Sequence, residues 1–119
     1  MRKIEHEMIT ALYNWRNWTN ANTSVSIVNN TATVTLHGHV IARIVPVGDY
    51  GSPHRNLELC WTTYQHFSRT TFSRMNAILR QFVGPGVGVY TRKQQPYLMR
   101  RLGMGEKTLE VGDRYSFTI

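Results

Sequence analysis

Apolar positions near the start of the chain recur with helical spacing. Ile4, Met8, Ala11, Leu12 and Trp15 fall at i, i+4, i+7, i+8 and i+11 and make one stripe. That spacing predicts an amphipathic helix over residues 3–16, with Glu5 and Glu7 in its first turns, where the helix dipole favours acids. Asn17 to Asn22 are residues that prefer caps and turns, and they end it. The period then changes to two. Val25 and Ile27 alternate with Ser24 and Ser26, Asn29-Asn30 supplies a two-residue turn, and Ala32, Val34 and Leu36 alternate with Thr31, Thr33 and Thr35. A further turn at Gly38-His39 leads into a strand from Val40 to Val45, which Pro46 stops. Residues 47–56 read as a loop, and Leu57 to Thr63 as a fourth strand.

Helical spacing returns at Phe72, Met75, Ile78, Leu79 and Phe82, so a second helix is expected over residues 71–83, ended by Gly84-Pro85-Gly86. Val87 to Lys93 is a strand, Tyr97-Leu98-Met99 is extended, and Tyr115, Phe117 and Ile119 alternate in a segment that closes a sheet edge. The expected architecture is a single α+β domain over residues 1–119. It has an N-terminal helix, an antiparallel meander of three to four strands, a second helix, and then C-terminal strands in one sheet.

Composition adds a globular content, with 41% apolar residues in a chain of 119. The single cysteine, Cys60, cannot make an internal disulfide and lies in an apolar run, which reads as a buried thiol in a reducing compartment. No secretion signal is visible, nothing approaches a membrane-spanning length, and neither a membrane partner nor a cofactor is expected. The expected location is cytoplasmic.

Charge changes the picture most. The formal net charge is +7, yet between Cys60 and Gly105 there is no Asp or Glu at all. That stretch carries Arg69, Arg74, Arg80, Arg92, Lys93, Arg100 and Arg101, while the flanking segments nearly balance. Such a concentration suits an anionic partner, with nucleic acid the first choice. On the second helix Arg69, Ser73, Asn76 and Arg80 fall at i, i+4, i+7 and i+11 and make one polar stripe, with Thr70, Arg74 and Gln81 on the far flank. Guanidinium, hydroxyl and amide groups in a row suit phosphate oxygens, whereas the plain alternative is a solvated helix surface. On the following strand Tyr90 and Arg92 share a side, where a base could stack and its phosphate be held, although an RNA-recognition motif would carry more aromatics.

Other constellations carry less. His37-Gly38-His39 has a metal-like spacing, but Gly38 as a turn would splay the imidazoles, and no metal site is expected. Pro85 removes an amide that a phosphate loop would need. Paired carboxylates and an activated nucleophile are both missing, so no catalysis is expected.

The runs Asn22-Thr-Ser-Val25, Val34-Thr-Leu-His-Gly-His-Val-Ile-Ala42, Thr70-Thr-Phe-Ser-Arg-Met-Asn-Ala-Ile-Leu79, Gly88-Val-Tyr-Thr-Arg92 and Tyr97-Leu98 resemble a family of small, largely uncharacterised domains encoded by bacteriophages. Its motifs run NTxV, LHGxxIA, SRxNAxL, VxxR and YL. The resemblance covers residues 17–98 and leaves out the first helix, the loop near Asp49 and the basic tail. It implies a phage accessory product acting in a bacterial host cytoplasm, and it brings no activity. The helix–three strands–helix outline is also similar to a double-stranded-RNA-binding domain, but the lysine cluster is missing and further strands follow.

The leading expectation is a non-enzymatic protein that binds nucleic acid, DNA or RNA, with weak sequence preference. Arg69, Arg74, Arg80, Arg92, Lys93, Arg100 and Arg101 would meet phosphates, and Ser73, Asn76 and Tyr90 would add polar or stacking contacts. The rival expectation is an inhibitor that docks on an acidic surface of a host enzyme or defence complex, using the same arginines with Tyr64, Phe67 and Tyr97.

Overall fold

A computed structural model describes residues 2–48, 54–61, 69–92, 95–99, 106–108 and 113–119. Lys93, Arg100 and Arg101, together with Tyr64 and Phe67, lie outside the described residues. The elements in chain order are α1 (Lys3–Tyr13), β1 (Trp18–Asn20), β2 (Thr23–Val28), β3 (Thr31–Leu36), β4 (His39–Pro46), β5 (Arg55–Trp61), α2 (Arg69–Phe82), β6 (Gly88–Arg92), β7 (Gln95–Met99), β8 (Glu106–Thr108) and β9 (Asp113–Thr118). The class is α+β, as the pattern predicts.

Two-residue turns fix the meander. Asn29 and Asn30 take φ of 51° and 60°, which joins Val28 to its partner Thr31 in the mirror-image turn that matches strand twist. His37 and Gly38 do the same between Leu36 and His39, so the turn sits one residue earlier than expected. At Gly38 φ is +79° and a Cβ would meet open space. Gly38→Ala therefore loses no contact and keeps only the left-handed strain. We expect a loss of about 1 kcal/mol, read from urea unfolding.

Helix α1 ends at Tyr13, three residues before the periodicity suggests, because Trp15 turns to φ +54° and lies beneath the Arg55 guanidinium at 4.6 Å. The polar run after it, expected as turn residues, includes the short strand β1, which gains its order by pairing with β2.

The strands after α2 do not share one sheet. Only β9 joins the large sheet, ordered β1-β2-β3-β4-β5-β9, where it pairs with β5 at the edge. The strands β6, β7 and β8 form a second, three-stranded sheet. The hairpin β6–β7 is local, so its hydrogen bonds form without reaching the large sheet.

One face of the large sheet packs Val25, Val34, Ala42, Ile44, Leu57 and Leu59 against Met8 and Leu12 of α1 and Met75, Ile78 and Leu79 of α2. Val89 of β6 and Leu98 of β7 belong to the same cluster. The opposite face is polar, with Ser24 hydrogen-bonded to Thr35 and Arg43 at 4.0 Å from Glu58.

The two helices lie side by side and run parallel. Near their starts Glu5 meets Ser73 and Arg74, and near their ends the Tyr13 hydroxyl donates to the Gln81 carbonyl while its ring stacks on Phe82 at 4.8 Å. Among the described residues no helix is long and apolar enough to cross a membrane.

Candidate functional site

The polar stripe of α2 faces a groove, but its members do different work. Arg69 and Arg80 are exposed, and among the described residues neither makes an ion pair. Eleven residues of helix set them about 16 Å apart on one side. Ser73 and Asn76 lie between them and are half-buried.

Arg74 is not on the far flank. It is 3% exposed, its Nη1 is 2.7 Å from Glu5 Oε2, and its Nε donates to Thr23 Oγ1 at 3.1 Å. The reason is the breadth of the buried arc. Helix α2 is covered by the large sheet, by α1 and by β6, so Thr71, Arg74 and Ala77 join the apolar positions inside. A charge in that arc needs a partner, and Glu5 supplies it from α1.

Glu5, 2% exposed, is the residue that pattern reading missed. Its carboxylate accepts from Ser73 Oγ at 2.5 Å, from Arg74, and from the Arg2 backbone amide at 3.2 Å. Burial pushes its pKa up, but Ser73, Arg74 and the Arg2 amide outweigh this and hold it below the usual carboxylate value. The only sequence signal was an acid on the apolar side of α1, beside Met8 and Ile9.

The network continues through Thr23. Its hydroxyl donates to Asn22 Oδ1 at 2.8 Å, and the Asn22 carbonyl accepts the His37 amide at 2.8 Å. The motif residues Asn22, Thr23, His37, Ser73 and Arg74 thus meet in one chain of hydrogen bonds with Glu5. Those residues tie α1, β2 and the β3–β4 turn to α2, which is a structural task.

Asn76 has a different partner. Its carboxamide accepts from the Val89 amide at 2.8 Å and donates to the Val89 carbonyl at 2.9 Å. Strand β6 is an edge strand of the small sheet, and Asn76 pairs with its outer side as a neighbouring strand would. Gly88 permits this approach, since a Cβ there would lie 3.1 Å from Asn76 Oδ1.

Two cavities open along the stripe, and Asn76 and Arg80 line both. One, of about 220 Å³, is bounded by Glu5, Ser73 and Ala77; the other, of about 420 Å³, by residues 84–90 and Met99. Tyr90 lines the larger one, half-buried and stacked on Tyr97 at 5.8 Å. Arg92 ends β6 opposite Gln95. The structure therefore sets Ser73, Asn76, Arg80 and Tyr90 along two adjoining cavities, leaves Arg69 exposed on the same helix outside both linings, and takes Arg74 into the interior. Among the described residues no cluster of His, Cys, Asp and Glu could hold a metal ion.

Comparison with known proteins gives a family match. The model of a protein family described as "Kyanoviridae Gp96 protein" matches residues 1–116. It takes in α1 and the segment beyond residue 98, which the motif resemblance leaves out. No curated protein and no solved structure matches the chain.

Proposed function

The chain belongs to the Kyanoviridae Gp96 protein family, a phage family, and from that premise we propose that it binds nucleic acid through the phosphate backbone in the cytoplasm of the bacterial host. The observation that carries the reading is the pair Arg69 and Arg80. Both are exposed on α2, Arg80 where the two cavities meet and Arg69 eleven residues before it, without ion pairs among the described residues, in a segment that holds no acid from Cys60 to Gly105. Arg92, Lys93, Arg100 and Arg101 extend the same cationic segment. Arg74 is left out, because Glu5 already neutralises it. Ser73 and Asn76 shape the groove rather than contact the ligand, since their polar atoms are engaged by Glu5 and Val89. Sequence preference is weak and the role is binding, with no chemical step.

Six cations on phosphates give a log–log salt slope of about −5 on duplex, so affinity falls about 10³-fold between 50 and 200 mM salt. Fluorescence anisotropy with labelled DNA and RNA reads this directly, and a flat response overturns the proposal. Arg69→Ser with Arg80→Ser lowers the slope by about two and weakens binding evenly across sequences. Capture from host lysate separates the rival: a protein partner that stays bound after nuclease digestion places the arginines on a protein surface instead.

A further inference from the structure

The larger cavity beside Arg80 has a make-up that the backbone reading does not use. Its volume, about 420 Å³, lies in the range of sites that enclose a small ligand. The walls are Val87, Tyr90 and Met99, together with the glycine-rich turn over residues 84–88, and among the described residues no acid lines it. Met99 is 42% exposed, an apolar side chain that the core leaves uncovered. Arg80 stands at the junction with the smaller cavity, on the exposed side. An aromatic and apolar recess with one guanidinium at its mouth fits a flat heteroaromatic ring attached to a phosphate.

Resting on the nucleic-acid reading above, we propose that this cavity takes one unstacked nucleobase of a single strand, with Arg80 on the adjoining phosphate. The base would cover Met99 and lie against Tyr90, which stacks on Tyr97. A base in a duplex is stacked and paired, and extruding it costs a few kcal/mol, so single strands are preferred. Both ends of the Asn76 carboxamide pair with the Val89 backbone, which fixes the group in the wall instead of leaving it to turn toward a base edge. The pocket therefore selects for the presence of a base and not for its identity.

The test compares three ligands of equal length, each titrated at 50 and 200 mM salt: an oligothymidylate, the same strand with abasic tetrahydrofuran units, and a duplex. The base-bearing strand is expected to bind about tenfold more tightly than the abasic one, which has the same charge. A strand carrying 5-iodouracil should photocrosslink to the peptide spanning residues 87–99. Equal affinity for base-bearing and abasic strands, with the steep salt dependence intact, overturns the pocket and leaves the backbone reading standing. Crosslinks confined to other peptides also overturn the pocket. Loss of all salt-dependent binding overturns both.

Discussion

Arg74→Met is expected to lower the unfolding free energy by about 3–5 kcal/mol at neutral pH, because it leaves the Glu5 carboxylate buried without its cation. Glu5→Gln should cost a similar amount by stranding the guanidinium. The double variant should lose much less than the sum, since neither charge then remains inside. Urea unfolding of all four proteins gives the coupling.

Acid adds an independent signature. The Glu5 pKa is lowered in the folded state from its ordinary 4.5, so the unfolded chain binds the proton more readily. The stabilisation from this group is complete above about pH 4.5 and is lost as pH falls through the folded value. The stability gap between wild type and Glu5→Gln should therefore narrow below pH 4.5, and a constant gap down to acid unfolding would contradict the pairing. Any Arg74→Met protein that folds should keep the wild-type salt slope for nucleic acid, whereas the Arg69 and Arg80 variants should not. That contrast separates the buried arginine from the exposed ones.

Asn76→Leu is expected to cost about 2–4 kcal/mol, because the Val89 amide and carbonyl lose their partners while partly shielded from water. Asn76→Asp should be at least as damaging. A carboxylate still accepts from the amide but cannot donate to the carbonyl, and two oxygens are then forced together. Removing the carboxamide also uncovers the outer side of β6, a free strand edge. Chemical unfolding together with size-exclusion chromatography should show lower stability and a shift to dimers or aggregates. An Asn76→Leu protein as stable and monodisperse as wild type would show that the pairing contributes nothing.

Much of the architecture is legible in the sequence because its signals are local. The alternation in Thr31 to Leu36 and the Asn29-Asn30 turn depend only on neighbouring residues, and both stand in the structure. Phe72, Met75, Ile78 and Leu79 of α2 are likewise found inside, with Phe82 half-buried at the helix end. What could not be read are pairings between distant segments. Arg74 looked unneutralised because no acid lies near it in sequence, yet Glu5 reaches it from 69 residues away. The same gap hid the use of Ser73 and Asn76, whose spacing is equally that of a ligand-facing row. In the candidate site, Arg69 and Arg80 were legible as exposed cations, while the cavities that flank Arg80 depend on how β6 docks. The split into two sheets escaped for a similar reason, since alternation tells which face a residue takes but not which sheet receives the strand.

The parallel setting of α1 and α2 has an electrical consequence. In an antiparallel pair the helix dipoles would largely cancel, but here both positive ends emerge together. Arg2, Lys3 and Arg69 are exposed at that same end, and of the two acids in the first turns of α1 Glu5 is spent on Arg74 while Glu7 accepts from Asn20. The molecule is thus polarised along its helices, with a cationic pole next to the mouth of the groove. Under the proposed function, a polyanion diffusing in would be turned toward that pole before any contact forms, and the parallel helices would then bear on how fast an encounter succeeds.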